Sequence, residues 1–433
     1  RDSSYDDWLR MLLWHEYTHI VYLDMTGGIP GILRHIFGRT IRMNALTPEW
    51  LVEGVSTYEE TARTTLGRGR STYTDMVIRM AVIEDNFPSI DRAGGGLIRW
   101  PDDDAPYTFG VAFIKYLSEK YSEEKLREFL NLYSRRLIPF RVNSAAKKVF
   151  GKSFSDLWKE WEKDVSRRCR DQEKEIRSKG LTPFDALTSR GNYIRHPRFT
   201  PDGKSVIFAE ENPHFSPSVK VINLEEKTER ILIKEQVIGG IGISPQGDML
   251  AYARLVPPKG VPSSQYYLYT DLYLYNMKKR SSRRLTTGER AFDPSFSPDG
   301  KRIIFVSRKK EKTTIKMISI DGENVEDVVQ GEGNIQHASP SFSPDGKKLA
   351  YSAWTEGGFR DIYLLDLSGR SVQRITSGLA RDTSPTFTPD GKYLIFSSDR
   401  TGVTNLFAYS LDEGSLYQVT NLLGGAFWPD VSP

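Results

Sequence analysis

A four-residue turn that recurs at a nearly constant spacing is the feature that most constrains the fold of this chain. The turn reads Ser/Thr-Pro-Asp/Gln-Gly, and its third residues are Asp202, Gln246, Asp299, Asp345 and Asp390. These positions are 44, 53, 46 and 45 residues apart. A period of about 20 to 50 residues is typical of solenoids, propellers and other repeat architectures. The second half of the chain is therefore predicted to be a repeat domain.

Each copy of the turn is followed by residues suited to a short strand. Within the turn, proline presets φ, the Asp side chain bonds to nearby backbone, and glycine takes the positive-φ position. Apolar or alternating residues follow, and a second pair of such stretches comes about 15 residues later, as at Asp361-Ile-Tyr-Leu-Leu and Val372-Gln-Arg-Ile-Thr. Four short strands in a unit of about 45 residues are typical of a propeller blade.

The repeats are similar to those of the TolB-like propeller family, whose unit reads Pro-x-Phe-Ser-Pro-Asp-Gly-Lys-x-Ile-x-Phe. The resemblance implies an all-beta six-bladed propeller, which we assign to residues 181–433. Five full repeats precede the start of a sixth at Pro429-Asp-Val-Ser-Pro433. The family also implies a periplasmic or extracellular location in the bacterial envelope. A protein partner would bind on a propeller face, where the Pro-rich insertion from Val256 to Ser264 is expected to form a long loop.

The first 180 residues have a different pattern. They show helical periodicity and few turn dipeptides, and the amphipathic stretch from Ser153 to Gly180 ends in Lys-Gly, as a helix C-terminus does. We therefore predict a mainly α-helical domain over residues 1–180, with the boundary near Leu181.

A metal-binding motif lies in the first predicted helix, at His15-Glu16-Tyr17-Thr18-His19. Residues four apart share one face of a helix, so both imidazoles can reach the same cation while Glu16 stands beside it. This is the HExxH pattern of zinc peptidases. A catalytic zinc site also needs a third protein ligand and an open position for water.

The segment from Thr47 to Glu60 resembles the Trp-Leu-x-Glu-Gly-x-x-x-Tyr-x-Glu helix of gluzincin metallopeptidases. In that family the Glu before Gly is the third zinc ligand, which implies Glu53 here. Glu60 returns to the face of Glu53 seven residues later and by resemblance accepts a hydrogen bond from a ligand imidazole. A solvated surface glutamate is the alternative reading of Glu60, and Glu59 competes for the role. His35 is a weaker candidate for the third ligand.

A further element, Pro106-Tyr107-Thr-Phe-Gly110, resembles the Pro-Tyr-x-x-Gly segment that follows the zinc helices of gluzincins. In the family, the tyrosine hydroxyl donates to the oxyanion that forms during hydrolysis. The resemblance implies this role for Tyr107. Because tyrosine is frequent in this chain, with 21 copies, a packing role is the alternative.

The whole pattern resembles bacterial envelope proteins that join a gluzincin domain to a TolB-like propeller. It implies a zinc-dependent peptidase acting on a peptide or protein substrate, with Zn²⁺ held by His15, His19 and Glu53. Glu16 would take a proton from water and pass it to the leaving amine, while Tyr107 stabilises the oxyanion. The alternative is a non-catalytic envelope module for protein interaction, with a structural or degenerate zinc site.

Composition and missing motifs exclude several other classes. Lys and Arg number 60 against 56 Asp and Glu, so the net charge of +4 gives no sign of nucleic-acid binding. The single cysteine, Cys169, excludes an internal disulfide framework. No apolar run is long enough to span a membrane, and no Gly-x-Ser-x-Gly elbow points to a serine hydrolase. Only 14 residues precede His15, so we expect the gluzincin-like domain to be incomplete at its N-terminus.

Overall fold

A computed structural model shows two compact units, a helical one that ends at Gly180 and a strand-rich one from Leu181 to Pro433. The helical unit and the strand unit have separate hydrophobic cores. The residues that the structure describes are 8–38, 43–64, 67–95, 101–136, 138, 140–189, 193–212, 214–257, 268–309, 312–331, 333–355 and 359–433. Most of the Pro-rich insertion expected on a propeller face, residues 258–264, lies outside the described residues.

The helical unit confirms the prediction of a helical N-terminal region. Its described helices are α1 (Trp8–Asp24), α2 (Gly28–Phe37), α3 (Glu49–Arg63), α4 (Thr72–Ile83), α5 (Ile90–Ala93), α6 (Ala105–Tyr121), α7 (Glu123–Ser134), α8 (Val142–Phe150) and α9 (Phe154–Ser178). A short 3-10 helix, Arg68–Arg70, lies between α3 and α4.

Two glycines allow α3 and α6 to pack in close contact. A Cβ atom on Gly54 would lie 2.7 Å from the backbone carbon of Gly110, and one on Gly110 would lie 2.5 Å from the carbonyl oxygen of Trp50. Larger residues at either position would therefore push the helices apart. The ring of Trp50 packs against Phe113 and Phe154 in the core on the other side of this contact. This packing fixes the distance between the two helices.

The strand unit is a propeller of four-stranded antiparallel sheets. From the second blade onward, the first strands of successive sheets contact one another, so these strands lie around the propeller axis. The first blade consists of β1 (Tyr193–Phe199), β2 (Ser205–Asn212), β3 (Phe215–Asn223) and β4 (Glu229–Ile233), and the second of β5 (Gly242–Ile243), β6 (Met249–Val256), β7 (Tyr269–Asn276) and β8 (Ser281–Arg284). The third blade consists of β9 (Ala291–Phe296), β10 (Arg302–Lys309), β11 (Lys312–Ser319) and β12 (Glu326–Val329), and the fourth of β13 (Gln336–Phe342), β14 (Lys348–Trp354), β15 (Arg360–Asp366) and β16 (Val372–Arg374). The fifth blade consists of β17 (Asp382–Phe387), β18 (Tyr393–Ser398), β19 (Asn405–Ser410) and β20 (Leu416–Gln418).

The recurrent turn has the geometry that its residues predict. In the third blade, Asp299 Oδ1 accepts hydrogen bonds from the hydroxyl of Ser297 at 2.5 Å and from the backbone N–H of Lys301 at 3.0 Å. Gly300 has φ +71°, a left-handed conformation that favours glycine. The turn thus joins the first two strands of the blade.

The prediction of six blades is wrong for the described residues, which form five four-stranded sheets. The last segment, residues 419–433, contains no strand. It is instead held against the first blade. The backbone N–H of Phe199 donates to Asp430 Oδ2 at 2.7 Å, and Arg198 Nη1 donates to the carbonyl of Pro429 at 3.3 Å.

A buried aspartate connects the third and fourth strands of the second blade. Asp271 is 0% exposed, and it accepts hydrogen bonds from the side chains of Arg284 and Thr286 at 2.5 and 2.8 Å. Its oxygens also accept from the backbone N–H groups of Gly288 and Glu289 at 2.9 and 3.1 Å. Four donors therefore satisfy this carboxylate, as burial of a charge requires.

Within the described part of the chain, no helix is both long and apolar enough to cross a membrane.

Candidate metal centre

The two faces of α1 have opposite environments. Met11, His15 and Tyr22 recur at helical spacing and are buried, at 7%, 5% and 3% exposure, on the side that packs against α3. Glu16 and Tyr17 lie on the exposed side. The helix therefore directs the His15 imidazole into the unit and leaves Glu16 accessible to water.

Three ligand atoms meet between α1 and α3. Nε2 of His15 lies 3.0 Å from Nε2 of His19, and Oε2 of Glu53 lies 3.2 and 3.4 Å from these two nitrogens. A zinc ion with ligand distances of about 2.0 to 2.1 Å and tetrahedral angles has ligand atoms about 3.3 Å apart. The arrangement therefore fits three corners of a tetrahedral site.

Among the described residues, His15, His19 and Glu53 form the one group of histidine, cysteine and acidic side chains close enough to hold a metal ion. A zinc ion held by these three residues alone would have one corner of its tetrahedron open, which is typical of catalytic zinc rather than of closed structural zinc.

The carboxylate of Glu53 lacks the partners that a structural buried charge has. Its Oε2 atom is buried without a hydrogen-bond donor, although the two imidazoles lie nearby. Burial favours the neutral acid, but His15 and His19 outweigh it and lower the pKa of Glu53 to about 2. Glu53 is therefore ionised at neutral pH and has an oxygen available for a cation.

Glu60 is fully buried and faces the opposite nitrogen of His15. Its Oε2 lies 3.1 Å from His15 Nδ1, so it is not a solvated surface glutamate. Burial lowers the pKa of His15, but Glu53 and Glu60 raise it further than burial lowers it. Glu59, the competing candidate, instead pairs with Arg63 on α3 at 3.1 Å.

Two more side chains belong to this cluster and were not predicted from the sequence. The buried hydroxyl of Ser56 lies 3.1 Å from His19 Nδ1, and it follows Glu53 by one helical turn. Arg68, from the 3-10 helix after α3, lies with Nη2 2.8 Å from Glu60 Oε2. Ser56 could have been predicted, because it lies one helical turn after Glu53 on the same helix. No such signal existed for Arg68, which lies 53 residues from His15.

Arg68 and Glu60 make alternative contacts with the same ring nitrogen. Nη2 of Arg68 lies 2.9 Å from His15 Nδ1. A guanidinium only donates, so this contact is a hydrogen bond only when Nδ1 has no proton, whereas Nδ1 can donate to Glu60 only when protonated. If Nε2 binds a metal, Nδ1 carries the proton and Glu60 is its partner.

Tyr107 lies beside the cluster, near the start of α6. Its ring stacks on His15 with centroids 6.0 Å apart and an interplanar angle of 28°. The guanidinium carbon of Arg68 lies 4.7 Å from the centre of the same ring. Gly110 follows Tyr107 by about one turn, so the close contact of α6 with α3 holds the ring next to His15.

His35, the weaker candidate for a third ligand, is exposed on α2 and outside the cluster. Cys169 is buried in α9, and burial raises the pKa of its thiol. Neither side chain belongs to the metal-binding group.

Comparison with known proteins identifies the strand unit. Residues 293–433 match the family model described as TolB beta propeller domain. The match covers the last three blades, so this part of the strand unit is a TolB-like propeller domain, and the match does not extend to the helical unit. Among curated proteins, none matches this chain.

Solved structures with similar folds include TolB itself. The structure of TolB from Acinetobacter baumannii has 20% identity and a TM-score of 0.49, and the alignment covers 56% of this chain and 58% of that chain. This chain thus spans less than two thirds of that protein. The structure of putative TolB from Agrobacterium tumefaciens has 20% identity and a TM-score of 0.45, with 57% and 89% covered.

Proposed function

We propose that the helical unit is a zinc-dependent peptidase of the gluzincin type and that the propeller binds its substrate or a partner protein in the bacterial envelope. The observation that carries the proposal is the spacing of 3.0 to 3.4 Å between His15 Nε2, His19 Nε2 and Glu53 Oε2. This spacing suits zinc, and the donor set of two imidazoles and one carboxylate is that of catalytic zinc sites.

A zinc ion held by these residues would acidify a water molecule and polarise the carbonyl of a peptide bond. Glu16 adjoins His15 in the helix and is exposed, so it is suited to take a proton from water and return it to the leaving amine. The ring of Tyr107 stacks on His15, and by the resemblance its hydroxyl would donate to a developing oxyanion. Glu60 and Ser56 hold the rings of His15 and His19 through the nitrogens that face away from the ligand cluster.

The experiment combines metal analysis of the purified protein with digestion of a peptide library, with and without a chelator. We expect about one zinc per chain and cleavage that the chelator abolishes. Glu16→Gln should retain zinc and lose turnover, by about 100-fold or more for loss of a general base. Glu59→Gln, on the same unit but paired with Arg63, is the matched control and should cleave as the parent does. A Glu16→Gln protein as active as the parent would contradict the mechanism.

A second candidate is a non-catalytic envelope module in which the propeller binds a protein and the zinc site is structural or degenerate. The match of residues 293–433 to a TolB beta propeller domain favours an interaction role for that unit. Stoichiometric zinc without cleavage of any library peptide would support this second candidate over the first.

A further inference from the structure

We infer that Arg68 is a positioning residue for the metal site and that it acts through Glu60 to orient His15. This inference rests on the proposed function, because it concerns the same three ligands. The predicted pattern of zinc ligands does not include Arg68, and the contacts that assign it a role are made only in the folded unit.

The guanidinium of Arg68 holds Glu60 by both oxygens. Nε donates to Oε1 at 2.8 Å and Nη2 donates to Oε2 at 2.8 Å, a bidentate contact that fixes the plane of the carboxylate. The backbone N–H of Arg68 donates to Oε1 as well, at 3.1 Å. Oε1 is thus fully used, and only Oε2 faces His15, at 3.1 Å from Nδ1.

The glycines on both sides of Arg68 allow the backbone to make this contact. Gly67 has φ +77°, and a Cβ there would lie 2.5 Å from Cα of Thr61. A Cβ on Gly69 would lie 2.9 Å from Val111 on α6, and the N–H of Gly69 donates to Thr61 Oγ1 at 3.0 Å. Only glycine on both sides lets the backbone of Arg68 lie directly against α3, where it reaches Glu60.

The burial of the Glu60 carboxylate explains why a positively charged side chain is needed beside it. Glu60 is 0% exposed, and a buried carboxylate is stable only when it is paired and hydrogen-bonded. His15 alone supplies one donor, whereas Arg68 supplies three, so Arg68 holds Glu60 in one orientation. The ring of Tyr107 covers the guanidinium at 4.7 Å and limits its movement.

The test measures how fast zinc is lost to a chelator from the full chain carrying Arg68→Lys, Glu60→Gln or both changes. Lysine retains the charge but cannot hold both carboxylate oxygens in one plane. We expect Glu60→Gln to speed zinc loss by about 10- to 100-fold and Arg68→Lys by about 10-fold. In the double variant, Arg68→Lys should add less than about 2-fold, because its effect passes through Glu60.

Arg70→Lys is the matched control, since Arg70 lies in the same 3-10 helix but donates to the backbone carbonyls of Thr61 and Thr64. It should leave the rate of zinc loss unchanged. The absorption spectrum of the Co²⁺-loaded protein gives a second readout, and Arg68→Lys should shift it because the ring of His15 changes its orientation.

The outcomes separate this inference from the proposed function. If the parent binds zinc and Arg68→Lys loses it no faster than the parent does, the inference is overturned and the zinc peptidase proposal remains intact. Additive effects of the two changes would overturn the route through Glu60. A parent protein that retains no zinc and no Co²⁺ would overturn the proposed metal site, and this inference with it.

Discussion

Both units of this protein bury carboxylates, but they satisfy them in different ways. In the propeller, Asp271 has four donors within 3.1 Å, and Asp361 has the side chains of Arg374 and Thr376. In the helical unit, Glu53 has a buried oxygen with no donor, next to two imidazole nitrogens. A satisfied carboxylate connects strands, whereas an unsatisfied one beside other lone pairs is available to a cation.

The largest expected effect concerns the unsatisfied carboxylate. Glu53→Gln removes one of three ligands, so zinc affinity should fall by more than the 10- to 100-fold expected for loss of an outer partner such as Glu60. Isothermal titration with zinc measures this change. Zinc should raise the melting temperature of the parent and not that of the variant, because only a bound ligand stabilises the folded state. Equal affinities would remove Glu53 from the site.

Loss of a satisfied carboxylate should affect folding instead. Asp271→Ala leaves the buried hydroxyl of Thr286 and two partly buried backbone N–H groups without this acceptor, and a buried donor left unsatisfied costs about 1 to 3 kcal/mol. Because such costs are not additive, we expect a loss of about 3 to 5 kcal/mol in the free energy of unfolding of the propeller, measured in urea. Zinc affinity should stay at the parental value. A variant with parental stability would show that the strand connection does not need this carboxylate.

An intermediate effect is expected where the helices touch. Gly110→Ala places a Cβ against the backbone of Trp50 and should destabilise the helical unit by about 1 to 3 kcal/mol. It should also move Tyr107 away from His15, so turnover should fall while zinc remains bound. Gly151→Ala offers a contrast, because its Cβ would meet no atom within 4 Å, although φ is +78° there. Its cost should be limited to backbone strain, with no change in turnover.

The smallest effect concerns a carboxylate near the propeller surface. Burial favours the neutral form of Glu289, but Lys309 and Lys316 outweigh it and lower the pKa of this group. A lowered pKa contributes stability that is present above the unfolded value of about 4.3 and is lost as the pH falls through the folded value. Glu289→Gln should therefore cost about 1 kcal/mol or less at pH 7 and reduce the acid sensitivity of propeller unfolding. An unchanged acid profile would contradict this.

The propeller was predictable from local patterns, because each turn and strand is encoded within about 45 residues. The turn at Asp299 and the strands that it joins follow from residue types alone. The five full repeats correspond to the five four-stranded sheets, whereas the packing of the segment around Asp430 against the first blade did not follow from the repeats. The family resemblance implied six blades, and the described residues form five.

In the helical unit, sequence alone placed His15 and His19 on one face of α1, because a helix brings residues four apart together. The same local geometry related Glu53 to Glu60. It did not determine which residues meet across the unit. The contact of α3 with α6 at Gly54 and Gly110 brings Tyr107 to His15, and the loop at Gly67 brings Arg68 to Glu60. The contact of Tyr107 with His15 joins residues far apart in the chain, and that of Arg68 with Glu60 needs the chain to turn back against α3, so both depend on packing distances that only the tertiary structure decides.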